Sequence, residues 1–141
     1  MSTGFTLPIR VVEAEGLSAW LVEDHSVPVV SLSWSWAGGA ARDAAGQEGT
    51  AAMAAALLTE GAGDLRALAF ADALRDSAIG LNFSAGRDAF EGGFRCLTDA
   101  LPEALRLARL AMTARRFDAD AVERVRARAI AGARQVLETP R

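Results

Sequence analysis

Residue types able to do chemistry are scarce in this chain, and none of them is spaced for it. There is one histidine, His25, and one cysteine, Cys96. His25 lies in the cluster Glu23, Asp24, His25, Ser26, which has the composition of a solvated turn. A ligand or general base would instead need convergent partners in a pocket. Cys96 sits in a strand-like apolar run and reads as a small core residue, and with no second cysteine no intrachain disulfide forms. Ser31, Ser33 and Ser35 alternate along one strand with no His or Asp at a spacing that would activate them, which argues against a serine hydrolase. The glycine groups at 38–39 and 61–63 match neither a phosphate-binding loop nor a dinucleotide fingerprint, and they suit a strand end and a helix cap. Asp72 and Asp76 share a helix face and read as solvated. Glu48 stands where a carboxylate favours the positive end of a helix dipole.

Charge excludes a further class. The formal net charge is −3, and the late arginines (Arg106, Arg109, Arg115, Arg116, Arg124, Arg126, Arg128) are interleaved with acids at helical spacing. That is a solvated helix face rather than the concentrated basic patch a nucleic acid requires. With 51% hydrophobic and 23% charged residues the chain is globular, and its 141 residues suffice for one domain or part of a larger one. No apolar run reaches the roughly 18–20 residues of a membrane span. The first residues carry neither a basic nor an apolar signal region. Pro140, just after a long helical pattern, is a common exit from a helix, and the expectation is that more chain follows in the parent protein.

The elements that would have to position any site are legible from periodicity. Residues 9–13 and 18–23 alternate as two strands around Glu15 and Gly16. Pro28 opens a third strand in which Val30, Leu32, Trp34 and Trp36 share one face and the serines the other. Residues 48–58 are almost all Ala, Met and Leu, the pattern of a helix buried all round. Residues 65–77 form an amphipathic helix. Residues 80–85 and 89–97 form two strands joined at Gly86, Arg87 and Asp88. Pro102 and Glu103 start a helix running to about residue 114, and Asp118 or Asp120 caps a last one reaching about residue 137. The order βββααββαα predicts an α+β fold, with helices on one face of an antiparallel or mixed sheet and with Leu32, Trp34, Trp36, Leu57 and Leu58 in the core.

This ordered set resembles the pitrilysin/insulinase (inverzincin) metallopeptidase family over nearly all of residues 9–141. The resemblance is carried by the run from Gly16 through the turn at Asp24 and Pro28 to the strand ending at Gly38, then by Gly46 and Gly49 leading into a helix. The stretch from Leu74 through Gly80 and the following hairpin continues it, as does Arg116-Phe117-Asp118 opening the last helix. In active members the helix at residues 48–58 bears His-x-x-Glu-His, two zinc-binding histidines one turn apart with a general base between them, and a later glutamate completes the site. Aligned on Gly49 and Gly61, these positions fall on Ala52, Ala55 and Ala56, with the later glutamate near residues 129–133. All are alanine, isoleucine or glycine, and a single histidine makes the two-histidine site impossible in any register.

The resemblance therefore implies a non-catalytic homologue with no cofactor and no metal, corresponding to the N-terminal portion of an inactive peptidase domain, incomplete at its C-terminus. It implies a catalytic zinc-bearing paralogue subunit, or a second half-domain, as partner in a bacterial heterodimer. The two would close a peptide chamber, in the periplasm rather than the cytoplasm. Peptide would add as a strand along Leu81, Asn82, Phe83 and Ser84, using backbone groups alone. Two other readings fit the same residues: a structural scaffold of this fold with no peptide binding, and a piece of a metallopeptidase whose active site lies elsewhere. An incomplete domain is also expected to self-associate through an uncovered edge or apolar face.

Overall fold

The computed structural model describes residues 6–138; expectations for the chain start and for Thr139, Pro140 and Arg141 lie outside the described residues. The elements are β1 (Ile9–Ala14), β2 (Leu17–Val22), β3 (Val29–Ala37), α1 (Thr50–Leu57), β4 (Gly61–Ala62), β5 (Leu65–Arg66), α2 (Ala67–Asp76), β6 (Gly80–Ala85), β7 (Ala89–Leu97), α3 (Leu101–Thr113) and α4 (Ala119–Glu138). This is the expected α+β order with one addition. Instead of a plain helix cap, the glycines at 61 and 63 turn the chain into the two-residue strands β4 and β5, so the second amphipathic helix starts at Ala67.

The central sheet has three strands in the order β3-β7-β6, all antiparallel. Its register puts Val30, Leu32, Trp34 and Trp36 opposite Cys96, Phe94, Gly92 and Phe90. Side chains alternate across a strand, so these residues share the face covered by α2 and α3. There Phe70, Leu107, Ala104, Ala108 and Ala111 are buried with Phe94, Cys96 and Ile79, and Trp34, Leu81 and Phe83 pack against them. The other face carries Ser31, Ser33, Ser35, Asn82, Ser84, Glu91 and Arg95.

Two burial expectations are corrected. Trp36 and Leu32 are 48% and 40% exposed, although Leu57, Leu58 and most of Trp34 are covered. Their facing is as predicted, because they stand on the side of Phe94 and Cys96. They are exposed because β3 is an edge strand of the central sheet, with no further described strand paired beyond it. The helix read as buried all round is likewise buried only on one side: Ala55, Leu57 and Leu58 are covered, whereas Ala52 and Ala56 are exposed. An all-alanine face carries no polar mark, so composition cannot separate a covered methyl row from an open one.

The first hairpin stands apart. Glu15 (φ 49°) and Gly16 (φ 79°) form the left-handed two-residue turn that matches strand twist. The β1–β2 ribbon forms a separate two-stranded sheet, and every residue in it is exposed. Val11 and Trp20 pair on one face and Val12 and Ala19 on the other, so both faces are apolar.

The far half of α4 also projects, with every residue from Arg126 to Glu138 exposed. Within it Gly132 has open space around a built Cβ and no positive φ. Glycine in a helix interior costs about 0.5–1 kcal/mol relative to alanine. Gly132→Ala should therefore raise the helical circular dichroism signal and the melting temperature slightly; no gain in either would mean that this half of α4 is frayed in solution.

Candidate functional site

The start of α1 is held from a distance. The Asp43 carboxylate accepts the backbone N–H of Gly49 at 2.8 Å and that of Ala51 at 3.0 Å, satisfying donors that the helix itself leaves open. Gly49 turns the chain into the helix at φ 95°. The Glu48 carboxylate, to which sequence reasoning gave the dipole role, faces back: backbone N–H groups of Glu48 and then of Gly46 hold its pKa below the ordinary carboxylate value. Asp43 lies six residues before Gly49, outside the local window in which caps are sought, so local sequence patterns do not reveal it.

At the other end of α1, α4 packs across it through Leu57, Ala121 and Val125, with Met53 and Val122 alongside. Charge closes the joint. The Glu60 carboxylate meets Arg124 Nη2 at 2.6 Å and Arg128 Nη1 at 3.9 Å, and the Glu60 side chain is only 18% exposed. The α3–α4 elbow is fixed by Arg116, which donates to the Gly63 carbonyl at 2.8 Å and to both Asp118 carboxylate oxygens at 2.8 and 3.2 Å. That hydrogen bonding holds the Asp118 carboxyl below its usual range. Both clasps use some of the arginines that the sequence marked as a solvated face, and they tie together segments more than 50 residues apart.

Between the two helices lies an open groove of about 630 Å³, floored by Ala52, Met53, Ala56, Val125, Ala129 and Ile130. Ala52 and Ala56, one turn apart on α1, thus meet Ala129 on α4. Three of the positions singled out from sequence come together here. Ala55 turns away and is buried, and residues 131–133 are not part of the groove. A zinc ion needs three or four N, S or O ligands within coordination distance. The groove offers methyl groups, with Gln47, Glu48, Arg126 and Arg128 around it. Its residues do not fit the metal, and among the described residues no group of three His, Cys, Asp or Glu side chains is arranged to hold one.

The remaining sequence candidates are dispersed. His25 lies in the exposed segment between β2 and β3. Cys96 is buried on β7, where desolvation pushes its thiol pKa up, the opposite of what a nucleophilic thiolate requires. Leu81, Asn82, Phe83 and Ser84 lie on β6, the edge strand opposite β3: Leu81 and Phe83 are half-buried toward the helices, while Asn82 and Ser84 are exposed on the polar face. No described helix is long and apolar enough to cross a membrane.

No family sequence profile matches this chain, and no curated protein matches it in sequence. Solved structures do. A peptidase M16 inactive domain from Pseudomonas fluorescens is 25% identical with a TM-score of 0.84, over 95% of this chain and 33% of that one. A protease from Helicobacter pylori is 19% identical with a TM-score of 0.73, over 92% of this chain and 31% of that one. Pitrilysin is 21% identical with a TM-score of 0.71, over 89% of this chain and 14% of that one. The chain thus spans a third or less of the length of each. The last two likenesses speak for the fold, and the first adds sequence identity over that fold: the chain has the fold of these M16 and pitrilysin structures and is similar to a peptidase M16 inactive domain.

Proposed function

We propose that this chain is part of a non-catalytic subunit or domain of an insulinase-type peptidase, and that it helps wall a peptide chamber together with a zinc-bearing partner. The observation that carries the reading is the alanine-lined groove between α1 and α4. In it Ala52 and Ala56, aligned from the resemblance with the two metal-binding histidines of active relatives, converge on one open space with Ala129, the first residue of the 129–133 window expected for the later glutamate. The space is open rather than filled by large side chains, which favours a retained chamber surface over a purely structural scaffold. The uncharged edge of β6, beside which α1 runs, is the proposed place for an added peptide strand, with Leu81, Asn82, Phe83 and Ser84 supplying backbone hydrogen bonds. Chemistry is left to the partner, because the positions matched to the zinc ligands and general base, Ala52, Ala55 and Ala56, carry only methyl groups.

The reading is tested by putting the ligands back. The triple variant Ala52→His, Ala56→His, Ala129→Glu should bind one zinc per chain, measured by elemental analysis after dialysis, while the unmodified chain retains none. Ala52 and Ala56 are exposed, so the histidines displace no core methyls. Stoichiometric zinc in the unmodified chain, or none in a folded triple variant, overturns the correspondence.

A further inference from the structure

We infer that the elbow between α3 and α4 is a two-state latch, closed by the Arg116–Asp118 pair, and that releasing it swings α4 away from α1. The inference stands on contacts among residues 57–125 and does not rest on the proposed peptidase role.

The elbow, residues 114–118, holds a strained residue. Phe117 has φ 51°. Left-handed backbone is a genuine outlier for a bulky side chain, and it persists only where the surroundings over-determine it. Burial does not hold Phe117 there, since it is 38% exposed and its ring meets the exposed Arg115 guanidinium, 5.9 Å from the centroid. Its two neighbours do. Arg116 Nε and Nη2 donate to the two Asp118 carboxylate oxygens at 2.8 and 3.2 Å, so a bidentate pair straddles Phe117 and closes the backbone around it. The turn between β4 and β5 anchors this clamp. Gly63 N–H donates to the Ala114 carbonyl at 2.7 Å, and Arg116 Nη1 donates to the Gly63 carbonyl at 2.8 Å.

The same clamp diverts a helix cap. Val122 N–H donates to the Asp118 carbonyl at 2.9 Å, which places Asp118 at the cap position of α4. A cap aspartate ordinarily accepts an N–H of the first turn with its side chain. Here both carboxylate oxygens bond Arg116, and among the described residues neither accepts the N–H of Asp120 or Ala121. The Asp118 carboxylate thus has two competing partners. In the closed state, the one observed, it holds Arg116 and Phe117 is strained. In the open state it caps α4, Phe117 relaxes to negative φ, and the direction of α4 changes at that residue. Closed, α4 sets Ala121 and Val125 on Leu57 and walls the groove, with the Glu60–Arg124 ion pair joining the same two segments. Open, those contacts part and the groove loses one wall. Each state keeps one set of interactions that the other gives up, as a bistable element requires.

Electron–electron double resonance reads the latch. Cys96 is buried, so cysteines introduced at the exposed Ala45, beside the Asp43 that holds α1, and at the exposed Arg134 take the spin labels. Arg134 lies about 24 Å along α4 from Asp118, so a tilt of roughly 15° moves it by about 6 Å. The unmodified elbow should give one distance. Arg116→Leu should add a second, displaced distance in about half or more of the molecules, with the helical circular dichroism signal unchanged because Asp118 now caps α4. Adding Phe117→Gly to Arg116→Leu should restore the first distance, because glycine adopts the left-handed conformation without strain. If Arg116→Leu does not fold, Arg116→Lys gives the same reading, since one ammonium cannot hold both carboxylate oxygens in a planar fork and should populate both distances. A single unchanged distance in the folded Arg116 variant, or a displaced one that Phe117→Gly fails to reverse, overturns the inference.

Discussion

Gly92→Val should destabilise the protein by roughly 3 kcal/mol, at the upper end of what overpacking a core costs. Gly92 on β7 lies under the indole of Trp34 on the neighbouring strand. A Cβ there would stand 2.5 Å from Nε1, 2.6 Å from Cε2 and 2.7 Å from Cζ2 of that ring. The ring is not free to lift away. It is held edge-on by Phe83, Phe94 and Trp36, with centroids 6.0, 6.2 and 6.4 Å from its own. Among the described residues its buried Nε1 has no hydrogen-bond partner, so packing rather than a polar contact holds the ring in place. The measurement is urea unfolding followed by tryptophan fluorescence, with near-ultraviolet circular dichroism reporting the loss of the ordered indole. A double-mutant cycle isolates the cause: Gly92→Ala should cost less in a Trp34→Phe background than alone, because the smaller ring vacates the space the methyl needs. Equal costs in both backgrounds would show that the strain comes from the β7 backbone instead.

Phe70→Ala should be more damaging still, at about 3–5 kcal/mol. Phe70 on α2 is 0% exposed and is, with Leu107, one of the two largest side chains wholly removed from water. It joins the helix layer to the sheet in the main core. That core is built largely of small residues, since Ala62, Ala104, Ala108 and Ala111 are all buried around it. Alanine neighbours have no longer side chain to swing into the gap, so the cavity stays open and the full cavity penalty applies. Against a total stability of about 5–15 kcal/mol for a domain, the loss should lower the melting temperature by roughly 10–20 °C. Differential scanning calorimetry reads it directly. A shift of less than about 3 °C would mean that α2 is not part of the cooperative unit and that the core is held by α3 alone.

How much of this was legible beforehand depended on whether the signal was periodic or positional. The strand Val29–Ala37 announced its two faces through the alternation of apolar residues with serine, and α2 and α3 announced theirs through helical spacing. The absence of a two-histidine metal site followed from counting one histidine. Element order, and with it the resemblance to a peptidase family, followed from the same patterns because local hydrophobic periodicity reflects local backbone geometry.

Tertiary structure alone decided the rest. Which strand lies at an edge is set by pairing, not by its own sequence; β3 and β7 read alike, yet β3 is outermost, and so Trp36 and Leu32 remain in water while Phe94 does not. The open face of α1 was invisible because alanine suits a buried and an exposed helix equally. Asp43 capping α1, Glu60 gripping Arg124, and Arg116 reaching the Gly63 carbonyl join segments that only folding brings near each other. The meeting of Ala52 and Ala56 with Ala129 is of the same kind: Ala129 lies 73 positions after Ala56, and only the packing of α4 across α1 makes them walls of one groove.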